Sequence, residues 1–183
     1  MPSAPRALPE RTWWIEKDRL IGGAYPGDAK PEVALRKLEA LLDHGVGAFL
    51  CLMEPDETSH DGSQFAPYEP IARALGAKRG IALEFGRLEI VDQNIPSIER
   101  MREILAWLDD RFERSRLCYV HCWGGRGRTG TVAGIHLIRR GLATPANFVD
   151  VIRDLRGSEA QRGPAPENSR QRDFVRRYPF SGT

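Results

Sequence analysis

Hydrophobic positions along the chain follow two rhythms. Short apolar runs read as strands: Trp13-Trp14-Ile15, Leu20-Ile21-Gly22-Gly23-Ala24, Gly47 to Met53, Ile81 to Phe85, and the run opening Leu117-Cys118-Tyr119-Val120. Longer stretches repeat every three or four residues and read as helices. Ala34, Leu38, Leu41 and Leu42 predict a helix from Pro31 to about His44, with proline in the first turn and Gly45 after the last. Tyr68 to Leu75 reads as a short helix ended by Gly76. Ile98, Met101, Leu105, Leu108 and Phe112 mark one face of a long helix. Thr131 to Arg140 is apolar on nearly every side and predicts a helix buried in the core. Thr144 reads as a cap and Pro145 as the start of the next helix, with Phe148, Val149, Ile152 and Leu155 inward and Gly157 at its end. A last helix follows Pro166 and carries Gln171, Phe174, Val175 and Tyr178. The alternation predicts one α/β domain, a mostly parallel central sheet with helices on both sides. Residues 1–10 hold three prolines and read as a flexible leader, with the domain spanning 11–183.

The turn between the Leu117 strand and the buried helix changes the picture most. It reads His121-Cys122-Trp123-Gly124-Gly125-Arg126-Gly127-Arg128-Thr129-Gly130. Strand, glycine-rich turn and helix make a phosphate cradle, because free N–H groups at the helix start point at an anion and the dipole favours negative charge there. Cys122 sits at the mouth of that cradle. The groups that hold a phosphate dianion also favour a thiolate and activate it as a nucleophile. Arg128 offers a planar fork for two phosphate oxygens, and Thr129 a hydroxyl within reach of the sulfur. Gly125 to Gly130 also spells GxGxxG. A dinucleotide site opens the first βαβ unit and takes an acidic residue from the next strand. Here the motif lies late, and the segment near Asp150 reads as helix. A P-loop is excluded by the missing Walker lysine.

His121-Cys122, five intervening residues, then Arg128-Thr129 resembles the signature of the cysteine-dependent protein tyrosine phosphatases, and the chain is similar to their compact dual-specificity branch. The resemblance implies a protein tyrosine phosphatase-like fold and hydrolysis through a phosphocysteine. It implies Cys122 as nucleophile, Arg128 as phosphate-binding arginine, Thr129 as the hydroxyl that eases loss of phosphate from sulfur, and His121 as a brace of the loop. Trp123, Gly124, Gly125, Arg126 and Gly127 become phosphate-loop residues. The leaving oxygen needs a proton, so the chain must offer a carboxylic acid on a loop near the cradle. Asp92 fits best: it follows an apolar segment, its loop is held by Pro96, and it precedes Cys122 by about thirty residues, an offset typical of that family. Glu84 and Glu89 are the alternatives. The family's water-positioning glutamine is matched by Gln171, with Gln161 as alternative. Some members carry a cysteine on the strand matched by Gly47–Met53, where it forms a disulfide with the nucleophile. Cys51 is the residue here.

Composition narrows the remaining choices. Apolar residues are 41% and charged residues 28% of the 183 residues, and the net charge is +2. That suits a globular enzyme and argues against a general nucleic-acid binder. From Arg111 onward arginine outnumbers acidic residues roughly two to one, a field that attracts phosphorylated substrates. Three cysteines without a CxxC pair give neither a disulfide framework nor a zinc site, so no metal or cofactor is expected. There is no signal peptide pattern and no apolar run of membrane-spanning length, which predicts a cytoplasmic protein. The pocket-deepening loop of longer tyrosine-specific domains is missing. The expected partner is therefore a protein bearing phosphotyrosine, phosphoserine or phosphothreonine, or a small phosphomonoester. Inositol and lipid phosphatases of the superfamily this chain resembles often carry extra basic residues at such positions, so Arg126 implies an inositol phosphate or phosphoinositide as the alternative, and the bulky Trp123, where those enzymes tend to have a lysine, works against it. A non-catalytic phosphate-binding module is the third possibility. The oligomeric state is open.

Overall fold

The computed structural model describes residues 7–180 and builds a five-stranded sheet from β1 (Thr12–Glu16), β2 (Leu20–Gly23), β3 (Val46–Cys51), β4 (Glu84–Arg87) and β5 (Leu117–His121). The order is β1-β2-β5-β3-β4. β1 and β2 form an antiparallel pair, and the remaining neighbours run parallel. β5 has parallel partners on both edges. Its residues from Cys118 onward are buried, which is why it reads as a continuous apolar run and not an alternating one.

Helices cover both faces. α1 (Pro31–Asp43) and α2 (Glu69–Lys78) pack on one face, where Leu38, Leu41, Phe49, Tyr68 and Tyr119 share a core. α3 (Ile98–Glu113), α4 (Gly127–Arg139), α5 (Phe148–Arg156) and α6 (Ser169–Arg177) build the larger core on the other, around Leu50, Val120, Val132, Ile135 and Phe148. Burying a large apolar side chain of this kind contributes roughly 1.5–3 kcal/mol. α4 runs down the middle of this layer and is buried from Gly127 to Leu137.

Several element boundaries and one inward position differ from the expectation. Gly76 does not end a helix: α2 continues to Lys78, and a Cβ at Gly76 would sit 2.8 Å from the Ile81 carbonyl and 2.9 Å from Leu83 Cγ. The glycine lets the returning chain cross the helix closely. That crossing delays the next strand, which pairs with β3 only from Glu84 and not from Ile81. The helix expected from Pro145 begins at Phe148, because Thr144 and Asn147 close a turn first through the Thr144 N–H and hydroxyl on Asn147 Oδ1. Leu155 is 41% exposed, and the inward position one residue later belongs to Arg156. Spacing explains this: Phe148, Ile152 and Arg156 are four residues apart and share a face. Residues 1–6 of the expected leader lie outside the described residues. Next to them, Leu8 packs against the α1–α2 core and the Pro9 carbonyl accepts a hydrogen bond from Thr12.

Candidate active site

Sheet register decides where the site forms. Gly23, His121 and Cys51 are level with one another at the carboxyl ends of β2, β5 and β3. The chain leaves all three strands at the same height, so the segments that follow gather around Cys122, the first residue beyond β5. This is the carboxyl-end crevice where parallel sheets bind ligands. Cys122 is 3% exposed. Gly125 makes the return possible: its φ is +72°, and a Cβ there would lie 2.5 Å from the Gly23 carbonyl carbon. The loop then enters α4 at Gly127, with the first-turn N–H groups toward the cradle.

Arg128 and Thr129 lie in that first turn. The Thr129 hydroxyl donates to Cys122 Sγ at 3.1 Å. Arg128 is 2% exposed, and its guanidinium is held from several sides. Nη1 and Nη2 each donate to an oxygen of Glu57 at 2.7 Å, a bidentate fork. Nη1 also donates to the Ile90 carbonyl at 3.2 Å, and Nη2 lies 2.9 Å from Asp92 Oδ1. Burial alone lowers the pKa of such a cation. The hydrogen bonds to Glu57 and the charges of Cys122, Glu57 and Asp92 outweigh it, and the pKa rises above the usual arginine value.

Glu54-Pro55-Asp56-Glu57 ends a strand and reads as a loop that either borders the active site or is a polar surface loop, and nothing in its residue types singles out Glu57. Its only sequence signal is its position just past the carboxyl end of β3.

His121 is fully buried. Nδ1 lies 3.3 Å from the Cys122 carbonyl, which accepts only, so Nδ1 carries the hydrogen. Nε2 then accepts from the Tyr68 hydroxyl at 2.8 Å. His121 thus fixes the backbone of Cys122 as a neutral imidazole. Burial pushes its pKa down to about 3, against the Cys122 carbonyl and with help from Arg87 and Arg128. A free histidine titrates near 6.5. His121 therefore contributes stability that is present above about pH 6.5 and is lost as pH falls toward 3. At about 1.4 kcal/mol per pH unit, moving from pH 7 to pH 5 should cost about 2 kcal/mol through this residue. Urea unfolding at the two pH values measures it. A His121→Asn variant should show a smaller difference, and an equal difference would assign the acid sensitivity elsewhere.

A cavity of about 240 Å³ opens over the sulfur, lined by Cys122, Arg128, Asp92, Trp123 and His60 among others. Trp123 stands between the His60 ring at 4.3 Å and the Phe65 ring at 5.7 Å, so one wall is aromatic. His60, exposed and on a polar, glycine-containing stretch, belongs to this wall. Arg126 also lines the cavity, with its guanidinium donating to the Arg162 carbonyl and paired with Glu167.

The sequence matches the family model of the Swiss Army Knife protein DSP-PTPase phosphatase domain over residues 9–172. The chain belongs to this family of cysteine-based phosphatases. The phosphatidylglycerophosphate phosphatase PTPMT2 of Arabidopsis thaliana is 28% identical over 145 residues, 79% of this chain and 55% of that protein. Cyclin-dependent kinase inhibitor 3 of Sus scrofa is 36% identical over 72 residues, 39% of this chain and 34% of that protein. The chain thus spans about a third to about half the length of these curated relatives. Among solved structures, a kinase-associated phosphatase with its catalytic-site cysteine replaced by serine superposes with a TM-score of 0.66 at 20% identity, covering 94% of this chain and 96% of that one.

In this DSP-PTPase domain the Asp92 loop is latched to α6. Asn168 donates to the Gln93 carbonyl at 2.9 Å, and Gln171 Nε2 donates to the Asn94 carbonyl at 3.2 Å. Gln171 Oε1 accepts from the backbone N–H groups of Glu167 and Asn168, completing a capping box. Gln171 is fully buried behind Gly127, so its side chain braces the loops from below the cavity. Gln161 lies in the 3-10 turn Gly157–Arg162. The alternative acids are engaged elsewhere. Glu84 joins Arg111, Arg114 and Arg116, and Glu89 faces Arg100 at 3.8 Å.

Cys51, Cys118 and Cys122 are all free thiols. Cys51 is level with His121, one residue from Cys122 across neighbouring strands. The spacings of a sheet put their Cα atoms about 6 Å apart, inside the range a disulfide spans. Burial raises the Cys51 pKa, and the Cys122 charge acts in the same direction. Cys118 is fully buried and pushed up to about 12, again by burial. No helix among the described residues is long and apolar enough to cross a membrane.

Proposed function

We propose that this domain hydrolyses phosphate monoesters through a phosphocysteine on Cys122. The observation that carries the reading is the convergence of Cys122, Arg128 and Asp92 on one cavity beside a helix start, with the buried Thr129 hydroxyl bonded to the sulfur. Cys122 Sγ attacks phosphorus and the ester oxygen leaves. Arg128 and the loop N–H groups hold the phosphoryl oxygens as charge builds on them. Asp92 gives its proton to the leaving oxygen, and then takes one from the water that attacks the phosphocysteine. The Thr129 hydrogen bond stabilises the thiolate as it departs. Glu57 acts on Arg128, holding the fork in plane. The incoming phosphate competes with Asp92 for Arg128 Nη2, which frees the carboxyl group to reach the leaving oxygen. Gln171 is the brace of the acid loop in this scheme.

The aromatic side of the cavity, Trp123 and His60 with Phe65 packed behind Trp123, supports phosphotyrosine together with phosphoserine and phosphothreonine on proteins. The free buried thiols support a reducing, cytoplasmic setting. A second reading, an inositol phosphate or phosphoinositide substrate, draws on the arginines around the loop and on the lipid phosphatase named among the relatives.

Asp92→Asn tests the acid. We expect kcat to fall by about 10²–10⁴-fold on phosphotyrosine or phosphoserine peptides, and far less on a nitrated aryl phosphate, whose leaving group scarcely needs the proton. The alkaline limb of the pH profile should disappear, and chelators should leave turnover unchanged. Equal losses on every leaving group would remove Asp92 from the role.

Cys51 is proposed as the redox partner. Peroxide oxidises the Cys122 thiolate to a sulfenic acid, and the Cys51 thiol displaces hydroxide from it to form the disulfide. Mild peroxide followed by reductant should restore activity, with a Cys51–Cys122 crosslink in the peptide map. Full recovery by Cys51→Ser would reduce Cys51 to packing.

A further inference from the structure

A second cavity, of about 420 Å³, adjoins the one over Cys122. Arg11, Gly124 and Arg126 line both. The additional walls include Arg156, Arg162, Trp13 and Glu159. Four arginines thus face one cavity with a single carboxylate among its lining residues.

Arg156 is the unusual member. It is 6% exposed, and a buried guanidinium is costly unless a carboxylate pairs with it. Its partners are neutral: Nη1 donates to the Gly163 carbonyl at 2.6 Å and Nη2 to the Glu159 carbonyl at 2.8 Å. Nε is buried without a partner, as is Trp13 Nε1 in the same wall. Burial and the charge of Arg126 both lower the Arg156 pKa, with Glu159 opposing. A cation kept under those conditions lacks a counter-charge. Arg162 is shared with Glu159 and, at 3.5 Å, with Glu10, and Arg126 with Glu167. Arg11 has no carboxylate within ion-pair distance among the described residues, and its Nη2 lies 3.5 Å from where a Cβ on Gly124 would stand. Its backbone has a φ of +61°, which turns the side chain over the loop at the cost of a strained conformation.

We propose that this cavity is a second anion subsite, and that the domain takes a small substrate with two phosphate groups, one over Cys122 and one among Arg11, Arg156 and Arg162. The part concerning turnover rests on the phosphocysteine reading above. Because the two cavities share Arg11, Gly124 and Arg126 as lining residues, the two groups belong to one compact molecule, such as a polyol bisphosphate. A soluble polyol and a lipid headgroup offer the same chemistry.

Calorimetry on Cys122→Ser tests the subsite without turnover, using inositol monophosphate, an inositol bisphosphate, and the same bisphosphate headgroup on a short-chain lipid. The bisphosphate should bind at least about tenfold more tightly than the monophosphate, as expected for one added set of charge-assisted hydrogen bonds. Adding Arg156→Gln should cut that advantage at least about fivefold, with monophosphate binding changed by less than about twofold. Arg162→Ala, on the surface, should act in the same direction and guards against a fold defect in the buried variant. Tighter binding of the lipid form than of the soluble form would identify the headgroup as the source, and equal binding the soluble polyol. Equal affinity for one and two phosphates, or equal weakening of both by the variants, overturns the subsite. Nitrophenyl phosphate turnover, with Cys122 intact, reads the first cavity separately. Turnover without a bisphosphate advantage removes the subsite alone, whereas an Arg156-dependent advantage without turnover removes the phosphocysteine reading and leaves the subsite standing.

Discussion

Cys122→Ser should leave a folded protein that binds phosphate and does not turn it over. Serine fits the space of a buried side chain that is 3% exposed, and the Thr129 hydroxyl at 3.1 Å from the sulfur can still hydrogen-bond to it. The loop geometry does not depend on the sulfur. It is set by Gly125, by the His121 brace and by the start of α4. What changes is the nucleophile: a serine hydroxyl holds its proton far above neutral pH, and Asp92, engaged with Arg128 and proposed to serve the leaving group, does not activate it. Loss of a covalent nucleophile costs on the order of 10⁴–10⁶-fold in kcat. Thermal unfolding and phosphate titration should stay near wild type while nitrophenyl phosphate turnover disappears. Near wild-type turnover would rule out attack by Cys122.

Arg128→Lys should be nearly as damaging, although the charge is conserved. A lysine ammonium cannot reach both Glu57 oxygens, the Ile90 carbonyl and a phosphate at once, whereas the planar guanidinium has a donor for each. The planar contacts strengthen as the phosphoryl group flattens, so the loss falls on the transition state. We expect kcat to drop by about 10²–10³-fold, the scale for losing one preorganised donor. Stability should also fall, because Glu57 is nearly buried and loses half of its fork. Each kcal/mol lost should lower Tm by about 2–4 °C. An unchanged kcat with a lowered Tm would leave Arg128 as a structural partner of Glu57 only.

The fold was legible where local chemistry decides it. β5, the glycine turn and α4 are contiguous, and apolar runs and helical spacing marked the other elements. Boundaries slipped where a distant segment decides them. Gly76 looked like a helix end, and only the crossing of Ile81 and Leu83 explains it. The same division holds in the site. Cys122, Arg128 and Thr129 share one loop and one helix turn, so their spacing carries their geometry. Glu57 and His60 arrive from the segment after β3, and only the register of β3 against β5 brings them to the loop. Gln171 resembles the glutamine expected near the C-terminal helices, and its amide is committed to holding α6 against the Asp92 loop. Arg156 was hidden by its type. An arginine after Leu155 reads as solvated, and only the four-residue spacing from Phe148 and Ile152 turns it inward.

The central claim is a covalent phosphate on Cys122, and trapping it is the most direct measurement. The wild-type domain is mixed with a nitrated aryl phosphate, quenched in acid within milliseconds, digested and analysed by mass spectrometry. A burst of nitrophenolate and one phosphoryl group on the peptide carrying Cys122 are expected, both absent in Cys122→Ser. Steady turnover by wild type with no burst and no labelled Cys122 peptide would contradict that claim.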